Sequence, residues 1–281
     1  MRIKRQLDDP RTLGEPVKGA VIFAFGILGS ARPTMPGPVL VTVMAALGFG
    51  EATARATILR MRRDGRLTSV RRGPRVDYAL TAPSRALSEA VLKPVIEPRP
   101  QWDGVFHALL FSIPEPERTY RDGLRRAAVA AGFGLLQSGV FVTPDERRWT
   151  PLGSIVDAAP AGSRLMRAEL RLSLADAATA AGAAWPLAAL ARRYRAHIED
   201  LERVAAESRA HPLTGALAVR GLWEAMAPLF ATAAEDPGLP AALLPANWPG
   251  QTLPRAVAAV SMELGPAVQA YLRELVQAAD A

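Results

Sequence analysis

The 281 residues include no cysteine, which excludes disulfides and thiolate metal sites and fits a reducing, cytoplasmic setting. Histidine is scarce as well. His107, His197 and His211 stand far apart with no i,i+4 pair, so neither a metal site nor a metal cofactor is expected. Only three of the 34 basic residues are lysine, a bias that codon usage in a GC-rich genome explains without appeal to function. No uninterrupted apolar run reaches about 18 residues, so no membrane span is expected. Enzyme signatures are missing too: there is no G-x-S-x-G, no Walker loop and no dinucleotide fingerprint, and no enzymatic activity is expected.

What the chain does have is hydrophobic material, 49% of its residues, enough for conventional cores rather than disorder. Its length predicts two or three folded units. Its charge is concentrated. Between Arg55 and Arg75 stand eight arginines (Arg55, Arg60, Arg62, Arg63, Arg66, Arg71, Arg72 and Arg75) against one acid, Asp64. That window carries the whole formal charge of +7, and the rest of the chain sums to zero. Codon usage explains arginine in place of lysine but does not place the surplus in one stretch. Charge confined to one compact segment is the pattern of a phosphate-binding face.

Residues 1–16 read as a polar arm with a turn between Pro10 and Pro16. Val17 to Ala31 is apolar enough for a buried first helix, and the prolines of Arg32 to Pro38 end it. The basic start, the apolar run Val21 to Leu28 and the small residues Gly29-Ser30-Ala31 together resemble a secretory signal. Asp8, Asp9 and Glu15 in the basic part and Gly26 in the apolar run weigh against that alternative. Val39 to Leu47 is a second helix, and Gly48-Phe49-Gly50 a turn in which Phe49 plugs the angle between helices. Glu51 opens a third helix, its carboxylate favoured by the helix dipole. Ala54, Ile58 and Met61 mark the core face. Thr53, Arg55, Ala56, Thr57 and Arg60 are expected opposite, on a face of short side chains and arginines suited to a major groove about 12 Å wide. Arg63 lies near the end of the same helix, which Asp64-Gly65 closes. Arg66 to Val70 and Arg75 to Leu80 predict two strands joined by Arg71-Arg72-Gly73-Pro74, a wing that carries arginines to a phosphate backbone or minor groove. The order helix, glycine turn, helix, ribbon is that of a winged helix-turn-helix on double-stranded DNA. A basic solvated hairpin, or a surface for RNA or an anionic protein, is the plainer alternative.

Thr81 to Val95 predicts a further helix, and Pro94, Pro98 and Pro100 a stiff boundary. After Trp102-Asp103-Gly104, Val105 to Ile113 is a strand-length apolar run, Glu117 to Ala131 helical, and Leu135 to Thr143 a second strand. A helical stretch is expected between Arg148 and Ala159. Leu165 to Leu172 alternates, with Met166, Ala168, Leu170 and Leu172 on one face. The β-α-β-α-β reading predicts a ferredoxin-like sandwich. The fold class expected is therefore α+β and multidomain: a winged helix-turn-helix over 17–96, a ferredoxin-like domain over 101–175 and a helical domain over 183–281.

In that last region Leu187, Leu190, Tyr194, Ile198, Leu201 and Val204 form a helical stripe, with Arg195–Glu199 and Glu199–Arg203 paired on the other face. The stripe serves either its own domain or a dimer seam. Helices are expected at about 213–234 and 254–279, separated by a segment with prolines at 237, 240, 245 and 249. That segment is either functional or a structural clamp.

Gly-Phe-Gly at 48–50, Ala54-Arg55-Ala56-Thr57 with Arg60, the wing from Gly73 to Thr81, Trp102-Asp103-Gly104, Gly132-Phe133-Gly134-Leu135 with Gly139 to Pro144, and Leu239-Pro240 through Trp248-Pro249-Gly250 occur in an order and spacing that resemble the PaaX-like regulators of phenylacetate degradation. The resemblance covers about 18–280. It implies a winged helix-turn-helix, a central ferredoxin-like domain similar to the Cas2 fold, and a helical effector domain. It also implies a homodimeric repressor of an aromatic catabolic operon, released from its operator by an aryl-acetyl coenzyme A thioester such as phenylacetyl-CoA. Two stretches depart from the family pattern: Phe106 replaces a second tryptophan, and Arg220-Gly221-Leu222-Trp223-Glu224 stands where His-Glu-Tyr-Arg-Arg is expected.

On this reading Arg71, Arg72 and Arg75 set affinity through phosphate contact, and Thr53, Arg55, Ala56, Thr57 and Arg60 read base edges. An acyl-CoA effector needs cations for its phosphates. Arg192, Arg193 and Arg195 beside Tyr194 are candidates, with Trp223 and Trp248 beside them, although a solvated basic face is the plainer reading of the arginines. Two rivals come from other classes. A Cas2-like metal-dependent nuclease would need clustered acids, and only Asp103 and Asp145 are near. An RNA-binding adaptor would need surface aromatics among the arginines, where only Tyr78 is close.

Overall fold

The computed structural model describes residues 16–29, 33–250 and 252–281. The expected polar arm lies outside the described residues except for Pro16, as do the end of the expected first helix and Arg32. The chain forms two compact units. One joins the residues up to Ile96 to Arg193–Glu235 and Pro249–Ala281; the other comprises Glu97–Arg192 and Asp236–Trp248.

The first unit opens with helix α1 (Pro16–Leu28), whose residues Ala20 to Phe25 are all buried. A helix apolar on every side belongs in a core. The short strand β1 (Met35–Pro36) leads into α2 (Gly37–Ala46), where proline occupies the first helical turn, a position that needs no amide donor. A Cβ on Gly37 would meet the Val76 carbonyl oxygen at 3.0 Å and the Tyr78 ring at 3.1 Å, so only glycine lets α2 start this close to the sheet. Helix α3 (Glu51–Arg63) ends at Asp64, and Gly65 follows with φ 71°, the left-handed termination that glycine tolerates. Strands β2 (Leu67–Arg72) and β3 (Arg75–Leu80) pair antiparallel, with β1 on the other side of β3. Their register sets Arg72 opposite Arg75. The turn is therefore only Gly73-Pro74, and Arg71 and Arg72 belong to the strand instead of the expected four-residue loop. Gly73 at φ 59° followed by proline suits a type II′ hairpin. Helix α4 (Ala82–Ile96) follows.

The second unit is built on a four-stranded antiparallel sheet. Strand β4 (Val105–Ser112), helix α5 (Arg118–Ala130), strands β5 (Gly134–Gln137) and β6 (Val140–Thr143), a 3-10 turn (Glu146–Leu152), helix α6 (Gly153–Asp157) and strand β7 (Arg164–Arg171) give the order β5-β6-β4-β7. The single strand expected from Leu135 to Thr143 is in fact a hairpin around Ser138-Gly139, with a bulge in β5. A Cβ on Gly139 would lie 2.8 Å from the Phe111 carbonyl oxygen, and this close approach lets the chain reverse there. The added strand completes the β-α-β-β-α-β order of a ferredoxin-like domain.

Both faces of the sheet are covered. Leu109 and Phe141 pack with Leu124, Ala128, Phe133, Trp149 and Leu152 on one side. Phe106, Ala108 and Val142 pack with Trp185, Leu187, Leu190, Leu239 and Leu243 on the other. Burial on both faces accounts for the uninterrupted apolar run of β4. Helix α7 (Leu174–Ala184) and the start of α8 (Leu187–Ala210) supply part of the second cover. Gly134 permits it: a Cβ there would sit 2.5 Å from the Trp185 ring. Along β7, Ala168 and Leu170 pack as expected, but Met166 is 59% exposed because β7 is an edge strand.

The proline-rich segment is a clamp within this unit. Leu239 and Leu243 lie in its core, and Arg148 donates to the Pro237 carbonyl. Arg99 donates to both oxygens of Asp236 at 2.9 and 2.7 Å. The helical stripe is also buried within the chain: Tyr194, Ile198 and Leu201 are covered in the first unit, so it does not offer a dimer seam. Arg203 pairs with Asp200 and Glu207, not with Glu199. Helices α9 (Gly215–Ala233) and α10 (Thr252–Asp280) complete the first unit, α10 burying Leu253, Ala256, Val260, Leu264, Val268, Leu272 and Val276 as one stripe. No single helix among the described residues is long and apolar enough to cross a membrane.

Asp236 is fully buried and Arg99 is 12% exposed, so Arg99→Ala leaves a buried carboxylate short of its bidentate partner. The expected loss of stability is about 3 kcal/mol, measured as a lower urea midpoint at unchanged slope.

Candidate nucleic-acid interface

Helix α3 divides cleanly into two faces. Ala54, Thr57, Ile58 and Met61 are buried; Thr53, Arg55, Ala56, Arg60, Arg62 and Arg63 are exposed. Thr57 is the correction. It was expected on the outer face, but it is 5% exposed, because at three residues after Ala54 and four before Met61 it falls on the inward stripe. Leu59, 52% exposed, belongs to the outer face and was missed, since its apolar character suggests burial.

The cations are not equivalent. Arg55 is held by Glu51 one turn back at 2.6 Å, and Arg63 lies 3.8 Å from Asp64. The side chains of Arg60 and Arg62 are exposed and make no hydrogen bond or ion pair among the described residues. On the hairpin Arg71 is exposed, with only its Nε donating, to the Gly73 carbonyl at 3.2 Å. Arg72 points its Nε at Asp77, 3.1 Å away, yet its side chain remains more than half exposed. Arg66 is buried.

Arg75 departs from its expected role. Its side chain is 22% exposed and donates to Asp77 at 3.1 Å, to Asp280 at 2.5 Å and to the Ala279 carbonyl. The hydrogen bond to Asp280 raises the guanidinium pKa, against a smaller lowering by desolvation. A guanidinium already ringed by acceptors is a tether between the hairpin and the end of α10, not a free phosphate ligand. Asp77, 1% exposed, accepts from Arg75 and forms an ion pair with Arg72, and thus fixes the strand that carries the outer arginines.

The base of α3 is fixed from α9. Arg220 Nε donates to the Ala46 carbonyl at the end of α2, 3.1 Å away. The Phe49 ring meets Trp223 edge-on at 6.4 Å between centroids, so Phe49 docks on α9 from within the turn that precedes α3.

The residues expected at an effector site are divided between the two units. Trp248 belongs to the second unit, beneath Arg99 with 5.2 Å from guanidinium to ring. Arg193 is bound by both oxygens of Glu235 at 2.7 and 3.0 Å. Arg192 is exposed and Arg195 half-buried. Trp223 lines an apolar cavity in the first unit, and none of the other four residues lines it. The two acids weighed for a nuclease have local roles: Asp103 accepts from the Val105 amide and Asp145 from the amide and side chain of Arg147.

Three family descriptions match the chain in order: a PaaX-like protein over residues 21–84, the PaaX protein central Cas2-like domain over 99–152, and the PaaX-like protein C-terminal domain over 185–274. The chain is similar to the transcriptional repressor PaaX of Escherichia coli, 25% identical over 241 residues, which covers 84% of this chain and 76% of that one. It also shares the fold of an uncharacterized protein, Rv0674, from Mycobacterium tuberculosis, with a TM-score of 0.55 and 22% identity over 90% of this chain and 98% of that one.

Asp77→Ala removes the carboxylate that accepts from Arg75 and pairs with Arg72. Amide exchange across residues 67–80 should quicken roughly tenfold or more, the equivalent of one hydrogen bond to a charged group, while exchange in α9 is unchanged. Equal protection in both proteins would show that the hairpin does not depend on this carboxylate.

Proposed function

Because the chain belongs to the PaaX-like family, we propose that it is a DNA-binding transcriptional regulator that represses an aromatic or acyl-CoA catabolic operon and acts as a cytoplasmic homodimer. The N-terminal module (residues 17–96) works as a winged helix-turn-helix, followed by a ferredoxin-like domain (101–175) and a helical effector and dimerisation domain (183–281). The observation that carries this reading is the run of exposed arginines along α3 and β2, with Arg60, Arg62 and Arg71 free of acidic partners among the described residues. The repressor named among its relatives supports the sign of regulation.

In this mechanism α3 enters the major groove. Thr53, Arg55, Ala56 and Arg60 face base edges, while Arg63, Arg71 and Arg72 approach phosphates. Arg55 and Arg72 exchange their own carboxylates for phosphate oxygens on binding, a small cost at exposed positions. Two copies place their α3 helices about 34 Å apart on a pseudo-palindrome. An aryl-acetyl-CoA thioester such as phenylacetyl-CoA is the effector class that the family suggests, and it lowers operator affinity.

The test is a salt titration of binding to DNA from the chain's own promoter. Neutralising roughly 8 phosphates per dimer gives a slope of log K against log salt near −7. Arg71→Ala should weaken all sequences alike and reduce the slope by about 2 per dimer. Arg60→Ala should cost about 1–3 kcal/mol on the operator and relax specificity. Unchanged affinity in the Arg60→Ala/Arg71→Ala double variant would overturn the assignment of this face to DNA.

A further inference from the structure

Helices α1, α4, α9 and α10 line a half-open cavity of about 470 Å3 in the first unit, within the roughly 300–1,000 Å3 of small-molecule sites. Among the described residues, none of the sixteen that line it is ionisable, and Ser88 and Ser261 supply the only side-chain hydroxyls. A carboxylate or phosphate placed here would lose its hydration without gaining a counter-charge. The walls instead offer rings. Phe23 lies 5.2 Å from Trp223 and 6.1 Å from Phe230 between centroids, both pairs tilted, an arrangement that presents faces and edges to a third aromatic group.

The space is held open by α1. Gly19 and Gly26, two turns apart on that helix, both line the cavity. A Cβ on Gly26 would meet nothing within 4 Å. Alanine would fit there and favour the helix by roughly 0.5–1 kcal/mol, so packing alone does not call for glycine. Trp223 has a second neighbour, Phe49, in the turn that leads into α3. One turn earlier on α9, Arg220 holds the end of α2.

We infer that this cavity binds an uncharged aromatic ligand of one or two rings, and that Trp223 relays its occupancy to Phe49 and the seat of α3. The effect on DNA rests on the proposed function; the binding itself does not. A ring pressed between Phe23 and Trp223 displaces the indole against Phe49 and changes the angle at which α3 is presented, lowering affinity for DNA.

The full-length chain is titrated with prodan, a neutral fluorescent probe built on the two fused rings of naphthalene. Saturable binding at one site per chain is expected. Gly26→Leu should weaken it roughly tenfold or more, since a few methylenes fill the space that the ring needs. Ala227→Leu fills the same cavity from α9 and replaces Gly26→Leu if circular dichroism shows that variant unfolded. Phenylacetamide should displace the probe, and phenylacetate should do so roughly tenfold less well or worse at neutral pH. Saturating probe should lower promoter affinity about fivefold, and Phe49→Ala should bind the probe while losing that shift. No saturable binding, or undiminished binding in the filled variant, overturns the site. Equal displacement by the carboxylate overturns the ligand class. A shift that survives Phe49→Ala overturns the relay. If the probe binds as described but no promoter DNA is bound, the regulator reading fails and the cavity assignment stands.

Discussion

The packing of α9 onto the amino-terminal helices is the constraint on which the first unit depends. Helix α1 is buried from Ala20 to Phe25, too apolar on every side to be stabilised by α2 and α3 alone. Trp223 supplies the missing cover, meeting Phe23 on one side and Phe49 on the other. Arg220 satisfies a carbonyl at the end of α2 that the helix itself cannot. A stretch of chain nearly two hundred residues away thus completes the core beneath α3. Any shift in α9 is felt at the base of that helix, because a close-packed core transmits displacement instead of absorbing it.

The charge of the arginine window is sorted by depth. Asp77 lies beneath the hairpin, ion-paired with Arg72 and accepting from Arg75, and Asp280 closes around Arg75. These acids are outside the window, so a count confined to residues 55–75 overstates the free charge. What remains outward is Arg60 and Arg62 on α3 and Arg71 on β2, with Arg72 partly engaged. Three unpaired guanidiniums on adjoining elements still make a concentrated field, since the exposed ion pairs near them are weak and easily exchanged.

Local periodicity was the most legible part of the fold. The inward face of α3 through Ala54, Ile58 and Met61, the strands of the hairpin and the long helices all follow from repeats of two or of three to four residues. Thr57 shows the limit of that method: hydroxyl chemistry suggests the surface, while geometry puts the residue inside. The hairpin at Ser138-Gly139 was hidden because β5 and β6 are both apolar and their turn is only two residues long. Contacts distant in sequence were not legible at all. Nothing local to Arg75 announces Asp280, nothing in the proline-rich segment says that Leu239 and Leu243 enter a core, and Trp223 gives no sign in sequence that it lies between Phe23 and Phe49. Of the candidate site, the outward arginines of α3 were readable, and their separation into free and tethered cations was not.

The chemistry of the cavity bears on what kind of effector the proposed regulator would recognise. An aryl-acyl thioester of coenzyme A combines an apolar ring with a polyanionic nucleotide, and the two ends need opposite surroundings. Among the described residues the cavity walls provide rings and methyl groups and no cation, so they suit only the first. The arginines considered for the second are already committed in part, with Arg193 bound at both ends of its fork by Glu235. A phosphate would have to displace that carboxylate, an exchange of one bidentate acceptor for another that yields little net gain. In the proposed site, discrimination among ligands would therefore reside in the ring and its neutral link. A site of this kind distinguishes aromatic size more sharply than it distinguishes what the ring is attached to, because desolvated walls reject misplaced charge but are indifferent to groups that remain in water.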